Sequence, residues 1–254
     1  MSALDLVPAE FREGYMNHAK DLTRLALKAQ GTHAFESTKR CAAIHEAGHC
    51  VVNTITASDQ HGGACWLPRS VRIWREPIKG LQVWLGENLP AKNAPPYRVD
   101  PRTDPEGYFT TAVRLLGGVV SEMMFDTHDY RLGSSIDEWV VASSCARTLT
   151  TMGMYPSAEQ ALNSLLGIVR NMLNANTHVV ESIAARLERQ RRIEGAELVA
   201  LLRNVRATGK AQGLRQVHCA AAGAFTRLRQ HSSVHSSEAQ AVGLAETRHE
   251  RRSA

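Results

Sequence analysis

The chain has 254 residues, of which 43% are hydrophobic, so it is long and apolar enough to bury a sizeable core and is not a disordered polypeptide overall. Its formal net charge of +5 would suggest a nucleic-acid partner only if that charge lay on a folded surface. Residues 206–254 hold eight Lys and Arg against three Glu, an excess equal to the whole net charge, so we predict a basic, disordered tail there and expect no nucleic-acid partner.

Hydrophobic periodicity predicts a mainly α-helical chain with a small β-hairpin. Residues 1–35 form an N-terminal lead-in that contains an amphipathic helix over 17–30. A second helix is predicted over 37–54. Either Ser37 or Thr38 is its candidate N-cap, because small hydroxyl side chains bond the unpaired amides at a helix start.

Two stretches of alternating apolar and polar residues follow, at 71–74 and 81–85, and turn-forming residues between them predict the hairpin. Residues 86–107 contain five prolines, which predicts a long loop that could flank a substrate. Helical patterns then resume, at 109–125, 135–152, 158–174, 178–190 and 195–204. Beyond the loop we therefore expect only helices before the tail.

The five cysteines include no C-x-x-C pair, which argues against both a disulfide framework and a cysteine zinc cluster. No stretch approaches the roughly 18 apolar residues that cross a bilayer. The first residues also lack the charged-then-apolar layout of a secretory signal. We expect a cytoplasmic protein without a membrane segment.

The sequence His45-Glu46-Ala47-Gly48-His49 lies on the second predicted helix. Residues four apart on a helix point the same way, about 6 Å apart along the axis, so the two imidazoles can bind one metal ion. Zn²⁺ is the expected ion because it binds neutral histidine and keeps a position for water when three protein ligands are present. Glu46 can remove a proton from water that attacks a peptide carbonyl, which predicts peptide hydrolysis without a covalent intermediate.

Simpler interpretations of these residues exist. Eleven histidines can produce an H-E-x-x-H sequence by chance, although the apolar residues Ile44 and Val51 around this one favour a protected metal site. Cys41 lies one turn before His45 and is a rival ligand, but cysteines at such positions are more often only buried. The same applies to Cys50.

Four segments together resemble the peptidase domain of FtsH-type ATP-dependent zinc metalloproteases. Residues 43–49 (AIHEAGH) are similar to that family's metal-binding helix, and residues 71–83 resemble the hairpin that follows it. Residues 116–122 (LGGVVSE) resemble its helix with paired glycines and an acid. Residues 133–137 (GSSID) are similar to the turn whose aspartate is the third zinc ligand. The resemblance covers about residues 36–205 and implies an FtsH-like zinc metallopeptidase domain there.

The resemblance implies a ligand set of His45, His49 and Asp137, with Glu46 as the catalytic base. The pair at 146–147 (AR) stands one position later relative to Asp137 than in the family, so Glu138 is a competing third ligand. Asp137 is the ligand we expect, and it could also be a helix N-cap. Glu122 either orients a ligand or is an exposed helix charge.

The resemblance implies a zinc metalloendopeptidase acting on polypeptide substrates. The family's ATPase module is not matched, since no G-x-x-x-x-G-K-[ST] occurs in the sequence. We therefore expect cleavage of unfolded or exposed polypeptide, or reliance on a separate AAA+ ATPase, and by resemblance a homo-hexamer. The alternative is a catalytically inactive zinc-binding adaptor that kept the peptidase fold.

Overall fold

The computed structural model describes residues 12–57, 67–78, 80–90, 105–126 and 135–206, with side chains from residue 19 onward. The prediction of a mainly α-helical chain with a small sheet is confirmed. The elements, in chain order, are α1 (Arg12–Gln30), a 3₁₀ helix (Gly31–Phe35), α2 (Lys39–Ala57), β1 (Ser70–Ile78), β2 (Leu81–Leu89), α3 (Pro105–Phe125), α4 (Ile136–Thr151), α5 (Ala158–Asn174), α6 (Thr177–Gln190), β3 (Arg192–Glu194) and α7 (Gly195–Leu202).

Helix α2 is the centre of the fold and packs against α3, α6 and the sheet. Its side chains are buried on nearly all faces, as expected for a helix with neighbours on several sides. Thr38 is the residue that caps it, because its Oγ1 accepts a hydrogen bond of 3.0 Å from the amide of Cys41. The helix thus begins at Lys39, two residues later than predicted, and of the two candidate N-caps it is Thr38, not Ser37, that caps it.

The sheet has the order β2-β1-β3, and both pairings are antiparallel. In its register, Ile73 of β1 lies opposite Gly86 of β2, while Val71 lies opposite Ile193 of β3. Strand β2 runs through Gly86 to Leu89, a segment that the sequence predicted as loop. The pairing with β1 overrides the weak strand preference of Gly86.

Helices α2 and α3 cross at close range because small residues meet there. A Cβ atom on Gly48 would lie 2.6 Å from Cβ of Ser121 and closer still to the carbonyl of Gly117. The Ser121 hydroxyl also bonds across the crossing, 2.9 Å from the carbonyl oxygen of Ile44. This approach brings the last turns of α3 onto the histidine face of α2.

Some predictions lie outside the described residues. They are the basic tail from 207 onward, residues 91–104 of the proline-rich segment, and residues 133 and 134 of the turn before α4. Among the helices that the structure describes, none combines the length and the apolar character needed to cross a membrane.

Candidate metal centre

The two histidines of the predicted motif lie side by side on α2. Their Nε2 atoms are 2.9 Å apart, and the ring centroids are separated by 4.6 Å. Both side chains are largely buried, with 17% of the His45 side chain and 12% of the His49 side chain exposed. The four-residue spacing therefore places two ligand atoms at one point, as predicted.

A carboxylate from the first turn of α4 completes the group. Oε1 of Glu138 lies 2.8 Å from Nε2 of His49, and Oε2 lies 3.3 Å from Nε2 of His45. One ligand atom from each of the three residues lies within 4.8 Å of the others, so His45, His49 and Glu138 form a group that could hold a metal ion.

Asp137, the third ligand expected from the resemblance, is not in this group. Its side chain is exposed, although it lines the neighbouring cavity. Adjacent residues on a helix point about 100° apart, so only one of Asp137 and Glu138 can face the histidines. Nor is Asp137 the N-cap, because α4 begins at Ile136 and Ser135 occupies the cap position. The structure thus favours Glu138, the competing candidate.

Each histidine is oriented through its other ring nitrogen. Nδ1 of His45 bonds the Glu122 carboxylate, and the Ser135 hydroxyl donates to the same oxygen over 2.8 Å. Nδ1 of His49 donates to the carbonyl oxygen of Arg114 over 2.9 Å. Glu122 is only 1% exposed, so its interpretation as an exposed helix charge is wrong. Such bonds fix which nitrogen is left to bind metal.

The hydrogen bonds at the two Nδ1 atoms determine which atoms of the group can bind a cation. Because Nδ1 of each histidine is a donor, the neutral rings direct the lone pairs of both Nε2 atoms at each other and at Glu138. Three electron-rich atoms at such distances need either a shared proton or a metal cation between them. Oε2 of Glu138 is in addition buried without a hydrogen-bond partner among the described residues. The residues present therefore fit a zinc ion, which accepts neutral imidazole nitrogens and carboxylate oxygens as ligands.

The electrostatics of the group are those of a proton-binding cluster when no metal is present. Burial lowers the pKa of His45, but the Glu138 carboxylate and the Glu122 hydrogen bond outweigh it and hold that pKa well above the usual value. Burial also lowers the pKa of His49, but the charge and hydrogen bond of Glu138, together with the Glu46 charge, outweigh it and raise that pKa. Burial raises the pKa of Glu138, yet the two histidines lower it far more, so its carboxylate is ionised.

Glu46 is 4% exposed and lies between the metal group and the sheet. The Asn88 side-chain amide donates to its Oε2 over 2.5 Å and to its backbone carbonyl over 3.1 Å. A Cβ atom on Gly86 would clash with the Glu46 carboxyl group, which explains a glycine within β2. Burial is the main reason that the pKa of Glu46 is raised, which suits a residue that takes up a proton.

A cavity of about 520 Å³ opens beside these groups. His45, Glu46 and Glu138 form its polar wall. The apolar part of the lining comes mostly from the hairpin and the 3₁₀ helix, with Phe35, Ile78, Leu81, Val83 and Leu85. The volume is that of a site for a side chain or a short peptide segment.

The cysteines near the motif are not metal ligands in this arrangement. Cys41 is buried and lines the cavity but does not belong to the group, and Cys50 bonds Oδ1 of Asn88 with a distance of 2.8 Å. Asn88 is a site residue that the sequence did not indicate, because its contact with Glu46 spans 42 residues. Gly118 is another, since a Cβ atom there would lie 2.6 Å from Nε2 of His49.

No family model and no curated protein matches this sequence. The function is therefore inferred from the side chains of the site itself, namely two histidines and a glutamate that could hold a metal, with a buried second glutamate and a cavity beside them.

Proposed function

We propose that the chain is a zinc-dependent metallopeptidase that hydrolyses peptide bonds in unfolded or exposed polypeptide segments. The observation that carries the proposal is the convergence of His45, His49 and Glu138 on one point, with Glu46 adjacent to it at the wall of a cavity. A further support is that Oε2 of Glu138 is buried and has no hydrogen-bond partner among the described residues, while it lies 3.3 Å from Nε2 of His45.

The donor set favours zinc. Two imidazoles and one carboxylate are a common set for hydrolytic zinc, and three protein ligands leave a position for water or substrate. When bound, such an ion supplies Lewis acidity that lowers the pKa of a coordinated water and polarises a carbonyl group. Glu122 and Arg114 would keep both histidines in the ligating orientation.

Glu46 would act as the general base. Asn88 holds one of its carboxylate oxygens, and the cavity lies beside it, so a water molecule in the cavity is within its reach. The carboxylate removes a proton from that water as it attacks the peptide carbonyl. As the bond between the carbonyl carbon and the amide nitrogen breaks, it delivers the proton to the leaving amine, which regenerates the Glu46 carboxylate.

The outer edge of β2 would bind the substrate backbone. Within the described residues, β2 has no strand partner other than β1, so its other edge could accept an extended chain wherever a side chain does not already bond that edge. Extended peptides add to such edges through backbone hydrogen bonds, which explains how one site can accept many sequences. The apolar cavity wall would receive one side chain.

The likeness to FtsH-type peptidases supports the same proposal. The metal-binding helix, the hairpin, the helix with paired glycines and an acidic ligand near the start of a later helix follow in the family's order. By the same resemblance we propose that folded substrates require a separate AAA+ ATPase, and that the chain assembles as a hexamer.

The test combines metal content with cleavage of casein and of a fluorogenic peptide. We expect about one zinc per chain. Glu46→Gln should retain zinc and lose cleavage, whereas His49→Ala should lose both. The exposed residues Glu159 and His178 offer matched controls, and Glu159→Gln and His178→Ala should behave like the parent chain. Zinc without cleavage would indicate the adaptor alternative, and a chain that binds no metal would refute the proposal.

A further inference from the structure

The hydroxyl group of Ser37 bonds both backbone groups of one residue in β2. It donates to the carbonyl oxygen of Trp84 over 2.5 Å and accepts from the Trp84 amide over 2.7 Å. This is the pattern that the backbone of a neighbouring strand would provide. A single side chain thus replaces a strand residue at that position.

The register shows that these groups belong to the outer edge of β2. Ile73 of β1 directs its amide toward β3, where it bonds the carbonyl of Arg191 over 2.8 Å. Ile73 therefore does not exchange hydrogen bonds with its partner Gly86. Because backbone direction alternates along a strand, Gly86 and Trp84 both face away from β1.

The outer edge borders the candidate site. Ser37 and Gly86 both line the cavity that contains Glu46, and the Cα of Gly86 lies against the Glu46 carboxyl group. A polypeptide that lies along the outer edge of β2 beside Glu46 could therefore form backbone hydrogen bonds first with Gly86 and then, two residues further along the strand, with Trp84. The Ser37 hydroxyl already bonds the amide and carbonyl groups of Trp84 that such a polypeptide would need.

Neighbouring side chains and helix α2 hold the contact between Ser37 and Trp84 in place. The Trp84 ring is half-buried and carries two cations over its surface, the Arg191 guanidinium at 5.4 Å and the Lys39 ammonium at 5.7 Å from its centroid. Ser37 directly precedes Thr38, the residue that caps α2. Neither side of the contact can move aside without disturbing a packed element.

We propose that Ser37 closes the edge of β2 at Trp84 and thereby limits the backbone pairing of a polypeptide substrate to the Gly86 end of the strand. This inference rests on the proposed peptidase function for the nature of the ligand. It makes Ser37 a residue that determines how much extended chain the site can bind, in addition to its place before the metal-binding helix.

The experiment uses the 254-residue chain, loaded with zinc and carrying Glu46→Gln, so that peptides bind without turnover. Two probes are compared, a short casein-derived peptide and the same peptide extended by two residues at each end. In the Ser37→Ala background the extended peptide should bind about threefold to tenfold more tightly, since one further pair of backbone hydrogen bonds can form. The short peptide should bind unchanged. Ser37→Thr keeps the hydroxyl and should match the parent.

Amide hydrogen exchange gives an independent readout. Peptide should slow exchange at Gly86 in every variant, and should slow exchange at Trp84 only in Ser37→Ala. Equal changes for both peptides, slowing at Trp84 in the Ser37 chain, or no effect on Gly86 anywhere would each overturn the inference. Cleavage by the chain with Glu46 intact is measured separately, so a chain that binds as expected but cleaves nothing would refute only the peptidase proposal.

Discussion

Nδ1 of His45 bonds the Glu122 carboxylate, which is buried and also accepts a hydrogen bond from Ser135. This contact links α3 and the start of α4 to the histidine face of α2. It holds the ring with Nε2 directed at His49 and increases the electron density available to a metal. The orientation of the His45 ring is therefore set by a residue 77 positions away.

Glu122→Gln should weaken zinc binding by about 10-fold to 100-fold, because the amide keeps the shape of the side chain but loses the charge that faces His45. The measurement is zinc affinity by competition with a chromophoric chelator. The exposed Glu159 provides the matched control, and Glu159→Gln should leave the affinity unchanged. Equal affinities for the Glu122 variant and the parent would show that the contact does not tune the site.

Glu138→Ala should reduce zinc affinity by more than the roughly 100-fold that outer partners contribute, since it removes a direct ligand. Asp137→Ala is the neighbouring control and should retain zinc, because its exposed side chain lies outside the metal group. Metal content after dialysis and calorimetric titration both distinguish the two variants. The reverse result would restore Asp137 as the ligand.

The sequence predicted the two histidines and Glu46 because the motif is local and helical geometry converts its spacing into a common direction. For the third ligand the sequence favours Asp137 over its competitor Glu138, whereas the structure places Glu138 with the histidines, because neighbouring helical residues point about 100° apart. Strand β3 has three residues, too few for a periodic pattern to appear. Asn88 was missed because the strand carrying it extends beyond Gly86, and only pairing with β1 makes that extension favourable.

Gly118→Ala should abolish metal binding, because a Cβ atom there would lie 2.6 Å from Nε2 of His49 and closer to Nε2 of His45. Relief would require the ligand rings or the α2–α3 contact to move. Gly167 of α5 is the matched control, since a Cβ atom there meets nothing within 4 Å. Gly167→Ala should keep zinc and stabilise the helix by up to about 1 kcal/mol. Zinc titration and thermal unfolding of both variants provide the comparison.

Asn88→Ala should lower kcat about tenfold or more while zinc content stays at the parent level, because Asn88 holds the Glu46 carboxylate but touches no metal ligand. KM should change little, since the variant alters the position of the base and not the cavity wall. Asn204, whose side chain bonds only within its own helix end, serves as the control through Asn204→Ala. A matching loss of zinc in Asn88→Ala would indicate a structural role instead.

The stability of the metal-free chain should fall as pH rises above about 6.5, the usual pKa of histidine. Burial lowers the pKa of His45, but Glu138 and Glu122 together raise it by more than burial lowers it. Between the unfolded and the folded pKa, the folded chain therefore binds protons that the unfolded chain has released. That contribution is complete below the unfolded pKa and is lost as pH rises through the raised folded value. Zinc competes with the same protons, so zinc affinity should rise over this range.

Urea unfolding in the presence of a chelator, repeated over a series of pH values, measures the first effect. Glu138→Gln should flatten the fall in unfolding free energy, because it removes the charge that raises the pKa of both histidines. His178→Ala removes an exposed histidine and should leave the slope as it is in the parent. A slope that is unchanged in Glu138→Gln would mean that the cluster does not bind the extra protons, and the cation site inferred from its geometry would lose its electrostatic support.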